Sequence, residues 1–318
     1  MLRYILHRAA GAVPLLLAIS VVTFTFINVA PGDPVTAMIS PEDQLNKEDL
    51  DRLRRSLGLD QPLPVRYAIW LGQVLQGNLG YSYTTKEPVL QRILVRVGPT
   101  LELMGVALLI STVFGVLFGV LAALRAYSGW DYGLTVVSLF GLSVPGFFFA
   151  LVALYIFSAK LRVLPAFGMQ SGTGPFNLLD NLYHLILPAS VLSLELMASL
   201  TRYARAAMLD VLRADFVTTA RAKGLSERQV IGRHAFRNAL IPLITVTTLR
   251  LPFLVGGAII IETMFQWPGM GLLSIQAIQQ RDYPVLMGLT LVIATLVLAS
   301  NLLADVLYAY ADPRIRYT

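Results

Sequence analysis

The stretch TARAKGLSERQVIGRHAFRN, residues 219–238, separates two long apolar runs of the chain. It carries five cationic side chains, Arg221, Lys223, Arg228, Arg233 and Arg237. A charged segment with helical patterning between two apolar runs predicts a loop that projects from a membrane-embedded bundle.

The composition of the whole chain supports the same prediction. Of 318 residues, 56% are hydrophobic and only 14% are charged, and the mean hydropathy is +0.66. These charges are too few to cover a soluble globule, so we expect a polytopic membrane protein. The chain has no cysteine, which excludes disulfides and thiolate chemistry, and its three histidines lie far apart in sequence. We therefore expect no metal site. The net charge of +6 fits cationic cytoplasmic ends better than a nucleic-acid partner.

Six apolar runs are long enough to cross the hydrocarbon core of a bilayer. They predict an all-α fold of about six transmembrane helices at residues 9–29, 100–124, 132–159, 184–206, 239–261 and 285–309. The first run is too long for a signal peptide and lacks a small-x-small cleavage pattern, so we expect a retained anchor. The fourth run contains Pro188 and Glu195 and has the least definite limits.

The basic residues predict the orientation of the chain. With a cytoplasmic N-terminus, the inner segments collect thirteen Lys and Arg, whereas the short outer loops hold only Lys160, Arg162 and Arg281. The long outer segment 30–98 balances eight bases with eight acids and is too long to govern orientation. Both termini are therefore expected in the cytoplasm.

The outer segment contains two helical patterns. Asn46 is a candidate cap, with Asp49 three positions later, for a helix that ends near Gly58 and places Leu50, Leu53 and Leu57 on one face. PVRYAIWLGQVLQG, residues 64–77, predicts a second amphipathic helix ending at Gly77. The segment is either a simple cap on the bundle or a lid that contacts ligand.

The charged loop itself has the pattern of helix, glycine turn and helix. Asp215 is a candidate N-cap for a helix over 216–223, Lys223 complements the dipole at its end, and Gly224 suits a left-handed turn. Ser226 and Gln229 match a capping box for a second helix, in which the apolar pattern is Val230, Ile231, Ala235 and Phe236. Simple positive-inside anchoring needs basic residues but not two capped helices, so the pattern favours a docking surface.

Several motifs carry a resemblance to a known family. DFVTTARAKGLSERQVIGRHAFRNALIP, residues 215–242, resembles the cytoplasmic EAA loop of ABC-transporter permeases, in the TARAKG form of the dipeptide/oligopeptide importer branch. The same branch is matched by PGDPV at 31–35, the stretch 57–83, IIIETMFQWPGMG at 259–271, RDYP at 281–284 and DPRIRY at 312–317. The resemblance covers essentially the whole chain. It departs from the general motif at Thr218-Thr219-Ala220, where Glu-Ala-Ala is usual, and in the late position of Pro242.

The resemblance implies a type I importer permease fold with three parts. Residues 1–97 would hold the first transmembrane helix and an extracytoplasmic helical segment, residues 98–310 the core with the loop at 210–238, and residues 311–318 a cytoplasmic tail. It implies a bacterial inner-membrane permease that works with a second, homologous permease, two ATP-binding subunits and an extracytoplasmic binding protein. The cargo would be a short peptide, or else glutathione or a nickel chelate, which permeases of the same branch carry.

The resemblance also implies roles for particular residues. The ATPase-docking loop would use Asp215, Phe216, Thr219, Ala220, Lys223, Gly224 and Ser226, with Phe216, Thr219, Ala220 and Gly224 at the contact. Asp49, Arg52 and Arg55 are candidate contacts to the binding protein. The chain has no G-x-x-x-x-G-K-[ST] motif, so ATP and magnesium are expected on partner subunits, with no cofactor and no catalytic residue here.

Three features of the apolar runs remain open to structural or functional interpretations. Gly115 and Gly119 suit close helix packing. Pro145-Gly146, Pro252 and Gly256-Gly257 interrupt two runs and are either ordinary kinks or hinges. Glu195 and Arg250 lie near mid-depth of consecutive runs, where they either pair or line a polar path.

Two other classes of protein remain as alternatives. A proton-coupled secondary transporter would also bury ionisable groups, but the sequence shows no convincing internal repeat. An intramembrane hydrolase needs a nucleophile and a base within the spans, and the chain has no G-x-S-x-G motif.

Overall fold

The computed structural model of the protein describes residues 2–29, 47–56, 59–172, 174–252 and 258–311. All the regular elements in these ranges are helices, which confirms the predicted all-α class. We number them α1 to α12 in chain order. They are α1 Leu2–Val29, α2 Lys47–Ser56, α3 Leu63–Leu75, α4 Val89–Leu124, α5 Gly129–Ser143, α6 Gly146–Ala153, α7 Leu178–Leu212, α8 Asp215–Ala222, α9 Glu227–Gln229, α10 Ile259–Met264, α11 Met270–Gln279 and α12 Tyr283–Ala311.

Two of these helices continue in other geometry. α6 runs on as a π-helical stretch at Leu154–Lys160. α9 passes through a π-helical stretch at Val230–Phe236 into an α-helical part at Arg237–Thr248, and we use α9 for all three pieces.

The described residues contain four helices long and apolar enough to cross a membrane, or five if one bent pair counts as a single span. α1, α4, α7 and α12 confirm four of the predicted runs. The third run is a bent helix pair, either a broken span or a re-entrant loop, since α5 and α6 meet at an angle of 100° beside Pro145. The predicted count of six is not confirmed.

The run predicted as a span over 239–261 is not one continuous helix. α9 ends at Thr248, residues 249–252 form a turn, and the next described helix begins at Ile259. Pro252 lies in the turn, while Gly256 and Gly257 lie outside the described residues.

The centre of the molecule is the contact between α4 and α7, which confirms the close packing predicted for Gly115 and Gly119. A methyl group built on Gly119 would lie 2.6 Å from the carbonyl oxygen of Thr201, and one on Gly115 would lie 3.1 Å from that of Met197. A larger residue at Gly119 would therefore push the helices apart. Such small-residue contacts let helix backbones approach and gain van der Waals packing within a membrane.

The largest apolar core lies at one end of this helix pair. Leu103 of α4 and Leu185 of α7 pack there with Phe265 and Trp267, which follow α10. The indole N–H of Trp267 donates to the carbonyl of Pro99 at 2.8 Å. The segment after α10 is thus fixed against the start of the second span.

The two predicted outer helices are present as α2 and α3. α3 ends at Leu75, close to the predicted end at Gly77. Gly77 has a φ of +80°, a left-handed conformation that lets the chain turn after the helix. The predicted cap Asn46, together with Leu57, Gly58 and the side chains of Leu50 and Leu53, lies outside the described residues. α4 already begins at Val89, so the expected domain boundary at residue 97 falls inside this helix.

Candidate functional site

The charged loop folds as a compact unit on the ends of α4 and α7. α8 follows α7 after a two-residue break, and Val217 and Ala220 on its inner face are buried. They belong to a cluster of buried apolar residues that also includes Ala123 of α4, Met208 of α7 and Val230 of α9. Any displacement of α8 therefore acts directly on the two central helices.

The outer face of α8 is open. Phe216 is 44% exposed, and Thr219 and Gly224 are also exposed. Thr219 uses its hydroxyl within the helix, where it donates to the Asp215 carbonyl at 2.8 Å. An apolar ring held on a rigid helix is the kind of anchor that fills a pocket on a partner protein.

The turn after α8 has the hydrogen bonds of a Schellman motif. The amide of Gly224 donates to the Arg221 carbonyl at 2.9 Å, and that of Leu225 donates to the Ala220 carbonyl at 3.4 Å. Gly224 has a φ of +77°, the left-handed conformation predicted for it. Lys223 is the C-terminal cap residue, beside the helix end whose partial negative charge it complements.

The start of α9 is fixed by two further contacts. Gln229 Oε1 accepts from the Ser226 amide at 3.3 Å, which confirms the predicted capping box. Arg221 Nε lies 2.7 Å from Glu227 Oε1, so an ion pair spans the glycine turn. The exposed ends of this pair contribute little energy, but they restrict the angle between α8 and α9.

Two of the predicted docking residues need correction. The N-cap position of α8 is occupied by Ala214, and Asp215 is the first helical residue, where its charge still favours the helix N-terminus. Ala220 does not face outward, because it lies on the buried stripe of α8 and is only 5% exposed. It supports the loop from within, while Phe216, Thr219 and Gly224 are open to a partner.

An ion pair that sequence reasoning missed connects the loop region to the bent span. Arg205 of α7 donates to the Asp131 carboxylate of α5 through Nε at 2.6 Å and Nη2 at 2.7 Å. Asp131 is buried, and it also accepts from the Tyr127 amide at 2.8 Å. The two residues are 74 positions apart, and neither stands in a pattern that predicts the pairing.

Glu195 and Arg250 do not pair in the described structure. Glu195 is exposed on α7, while Arg250 donates to the Leu196 carbonyl at 2.8 Å and to the Ser199 hydroxyl. Their depth along consecutive apolar runs left both pairing and path lining open, because depth does not determine the face of the helix on which a side chain lies. A role of either residue in lining a path stays a prediction.

The main polar contact in the described interior is a group of residues that we call the clasp, formed by Thr100, Glu262, Met270 and Leu272. Glu262 is fully buried, and its carboxylate accepts from the Thr100 hydroxyl at 2.9 Å and from the Leu272 amide at 3.1 Å. The Thr100 hydroxyl in turn accepts from the Met270 amide at 2.8 Å.

The clasp supplies hydrogen-bond acceptors to the first amides of α11 from residues outside that helix. Met270 and Leu272 are in its first turn, whose amides have no partner within the helix. A carboxylate is well suited to this end of a helix because of the helix dipole. Gly269 is required here, since a methyl group on it would lie 2.5 Å from Thr100 Oγ1. The pairing of Gly269 with Gly271 is the one local signal that a close approach occurs here.

The candidate contacts to the binding protein lie on α2, which the predicted topology places on the side of the membrane opposite the charged loop. Arg52 has a side chain 72% exposed and lies 3.8 Å from Asp49 and 4.0 Å from Glu48. Arg55 lies on the same helix. Among the described residues, no three His, Cys, Asp or Glu side chains come together as metal ligands.

Comparison with family models gives two matches that together cover nearly the whole chain. Residues 115–317 match the model described as the binding-protein-dependent transport system inner membrane component, and residues 1–104 match the model of the N-terminal part of such membrane components.

Curated relatives match over their full length. The chain is 43% identical to the oligopeptide transport system permease protein AppB of Bacillus subtilis (strain 168) over 318 residues, which cover 100% of both chains. It is 42% identical to the di/tripeptide transport system permease protein DppB of Pseudomonas aeruginosa (strain UCBPP-PA14), covering 100% of this chain and 99% of the relative.

The fold resembles a solved transporter. A chain of the MetNI methionine ABC transporter, in an inward-facing conformation, matches with a TM-score of 0.56 and 15% identity, covering 70% of this chain and 97% of that one. At this identity the likeness concerns the fold alone.

Proposed function

Since the chain belongs to the family of binding-protein-dependent transport system inner membrane components, it is the membrane permease subunit of an ABC importer, and we propose that its cargo is a short peptide. The curated relatives named above, which match over the whole chain, carry oligopeptides or di- and tripeptides according to their names. Because one name refers to oligopeptides and the other to di- and tripeptides, the length of the transported peptide is the property to be measured.

The observation that carries the mechanism is the two-sided construction of α8. Its inner face is packed on α4 and α7, and its outer face presents Phe216. We infer that an ATP-binding subunit receives Phe216 and Thr219 and that its closure moves α8, which moves the two central helices. The movement caused by ATP binding would then pass to the membrane helices through the packed side chains of α8, α4 and α7. This chain would hydrolyse no ATP by itself.

We propose the assembly and orientation that this mechanism requires. A second permease would complete the pathway, two ATP-binding subunits would bind ATP and magnesium below it, and an extracytoplasmic binding protein would deliver the peptide. Both termini would lie in the cytoplasm of a bacterium, with α2 and α3 on the outer face of the inner membrane. The half-buried Asp49 and the exposed Arg52 and Arg55 would meet the binding protein, where rim charges affect association rate more than affinity.

The docking contact is testable by cysteine cross-linking, because the chain has no native cysteine. Phe216→Cys should form a disulfide with single cysteines placed around the expected groove of the ATP-binding subunit, and the yield should change on addition of ATP. Val217→Cys, one position later but fully buried, is the matched control and should not cross-link. Equal yields at the two positions would contradict the proposed surface.

The cargo is testable in proteoliposomes that contain the complete importer. Uptake of labelled di-, tri- and oligopeptides should require ATP and the binding protein, whereas glutathione and a nickel chelate should neither enter nor compete. ATP-independent uptake driven by a proton gradient would instead identify a secondary transporter.

Replacing Arg52 by Glu should raise the binding-protein concentration at half-maximal ATPase stimulation at low salt, without changing the unstimulated rate.

A further inference from the structure

A cavity of about 400 Å³ lies between α1, α3, the loop 79–86 and the first turn of α12. It is separate from the docking loop and from the clasp. Phe24 and Asn28 of α1 line one side, and Tyr283 and Met287 of α12 line another.

The position of the cavity along α1 places it at the surface of the bilayer. The apolar span of α1 covers Ala10–Val29, twenty residues, which is about the thickness of the hydrocarbon core. Phe24 and Asn28 lie in the last two turns of this span, so the cavity opens where acyl chains meet headgroups. Tyr67 and Trp70 of α3 pack against Phe24 with ring centroids 5.4 and 5.5 Å away, and such aromatic residues are enriched at this depth.

The walls of the cavity are held in place by specific contacts. α3 is fixed on one face of α1, where Ser20 hydrogen-bonds to the Tyr67 hydroxyl at 2.8 Å and Asn28 accepts from Arg66. The loop 79–86 is held by Asp282, which is buried and accepts from the Tyr83 amide at 3.0 Å.

The charged side chains that line the described part of the cavity are of one sign. Arg66 and Lys86 line it, and the lining residues in the described part of the chain include no carboxylate. The nearby Asp282 carboxylate is already engaged, since it accepts from Ser82 Oγ and lies 3.6 Å from Arg92. Two cations therefore face a cavity whose other lining side chains are apolar or uncharged.

A ligand for this cavity must combine an anionic head with an apolar body. Lys86 has a φ of +62°, a left-handed conformation that costs energy for a residue with a side chain and that often marks a binding site. Ile69, Leu79 and Met287 supply apolar surface beside the cations. A phosphate group supplies several acceptors for the planar Arg66 guanidinium and a charge for the Lys86 ammonium.

We propose that this cavity binds the phosphate group of an anionic glycerophospholipid from the adjacent leaflet. Arg66 and Lys86 hold the phosphate, and the lipid glycerol and upper acyl chain lie against Ile69, Leu79 and Met287. The lipid joins α1, α3 and α12 into one unit on the face where substrate arrives.

The experiment uses the full chain in its purified importer, with native mass spectrometry of bound lipids after exchange into phosphatidylglycerol or phosphatidylcholine. The variants are Arg66→Gln, Lys86→Gln and the double change. Arg162→Gln is the matched control, since Arg162 is also exposed and expected on the same side but lies outside the cavity. Thermal unfolding of each variant identifies any loss of folding, and Lys86→Gln in an exposed loop should leave the fold intact.

We expect each substitution in the cavity to weaken phosphatidylglycerol retention about five-fold, the usual contribution of one cation near an anionic surface. Phosphatidylcholine retention and the control should not change. Unchanged phosphatidylglycerol retention in the folded double variant would overturn the proposal. So would displacement of the lipid by millimolar inorganic phosphate, which would identify a site for small anions. Unchanged lipid retention with a higher half-saturating concentration of binding protein would assign the surface to a protein partner. Since lipid binding is measured without transport, the result is independent of the proposed cargo.

Discussion

The docking loop and the clasp both satisfy the end of a helix, but with contacts of very different range. In the docking loop the amide of Gly224 donates to a carbonyl three positions earlier, and the amide of Ser226 to a side chain three positions later. In the clasp, Thr100 reaches across 170 positions to Met270 and 162 positions to Glu262. Short-range contacts leave a pattern of spacing in the sequence, and long-range contacts do not.

The two regions also differ in their access to water. Gln229 and Gly224 are exposed, so groups that lose a partner there can bond to water instead. Glu262 is fully buried, and its partners would remain unsatisfied. In this protein the contacts that are hardest to predict from the sequence are therefore expected to be the most costly to lose, and substitutions in both regions test this expectation.

The largest effect is expected for Glu262→Leu. It removes the acceptor of the Thr100 hydroxyl and the Leu272 amide, and we expect a loss of about 3–5 kcal/mol of unfolding free energy, as for breaking a buried charged contact. Thermal unfolding of the purified importer and the abundance of the chain in membranes measure this loss. Glu195→Gln, an exposed carboxylate of the neighbouring core helix, is the control and should change stability little. Equal melting temperatures for the two variants would show that Glu262 contributes no more to stability than an exposed carboxylate does.

The second effect is expected for Thr100→Val, which keeps the shape of the side chain but leaves the Met270 amide without its acceptor. The expected cost is about 1–3 kcal/mol. Thr112→Val, in the same helix, is the matched control because the buried Thr112 hydroxyl has no partner among the described residues. That change should be neutral or stabilising. A cost as large at Thr112 as at Thr100 would show that helix packing, not the hydrogen bonds, makes this region sensitive.

A smaller effect is expected for Gly224→Ala in the docking loop. No atom within 4 Å would clash, so the cost comes from the left-handed backbone alone and should be about 1–2 kcal/mol. Gly232→Ala has equally open space but no positive φ, and it should stabilise α9 slightly. Because the turn orients α8, Gly224→Ala should also lower peptide uptake at equal abundance of the complex. Normal uptake and normal stability would show that the turn tolerates a side chain.

The smallest effect is expected for Gln229→Ala, which removes one exposed half of the capping box. We expect a cost of about 0.5–1 kcal/mol, typical of a capping contact. Arg228→Ala, the exposed neighbour, should stay within about 0.5 kcal/mol of the parent chain. Calorimetry on the two variants measures the difference. A larger loss for Gln229→Ala than for Thr100→Val would reverse the ranking of local and long-range contacts.

Much of the architecture could be predicted because it depends on the length of apolar runs. α1, α4, α7 and α12 follow from such runs, since a membrane requires about twenty apolar residues to complete a span. The interruption at Pro145 was visible in the sequence, but its angle of 100° was not. The run 239–261 was predicted as a span with an interruption at Pro252, but the structure shows no single long helix there, because an apolar composition suits a turn and shorter helices packed inside the protein equally well.

The candidate site divides in the same way. Gly224, Ser226 and Gln229 were predicted from their spacing and are found in the expected turn and cap. For Glu195 and Arg250 the sequence left pairing and path lining open, and the structure shows that Arg250 donates to the Leu196 carbonyl instead of pairing with Glu195. Asp131 with Arg205, and Thr100 with Glu262, had no local pattern from which they could be found.

The amino-acid sequence alone was sufficient to assign the class of the protein, its apolar helices, the charged loop and the family to which the chain belongs. Each of these depends on composition or on spacing within a few turns of helix, which the backbone geometry fixes without reference to the rest of the chain. Three features became visible only in the folded chain: Ala220 faces inward, Arg66 and Lys86 line one cavity, and the Thr100 hydroxyl accepts from an amide at the start of α11. These depend on the rotation and crossing of helices from distant parts of the chain, where a difference of a few ångströms decides which polar groups are satisfied.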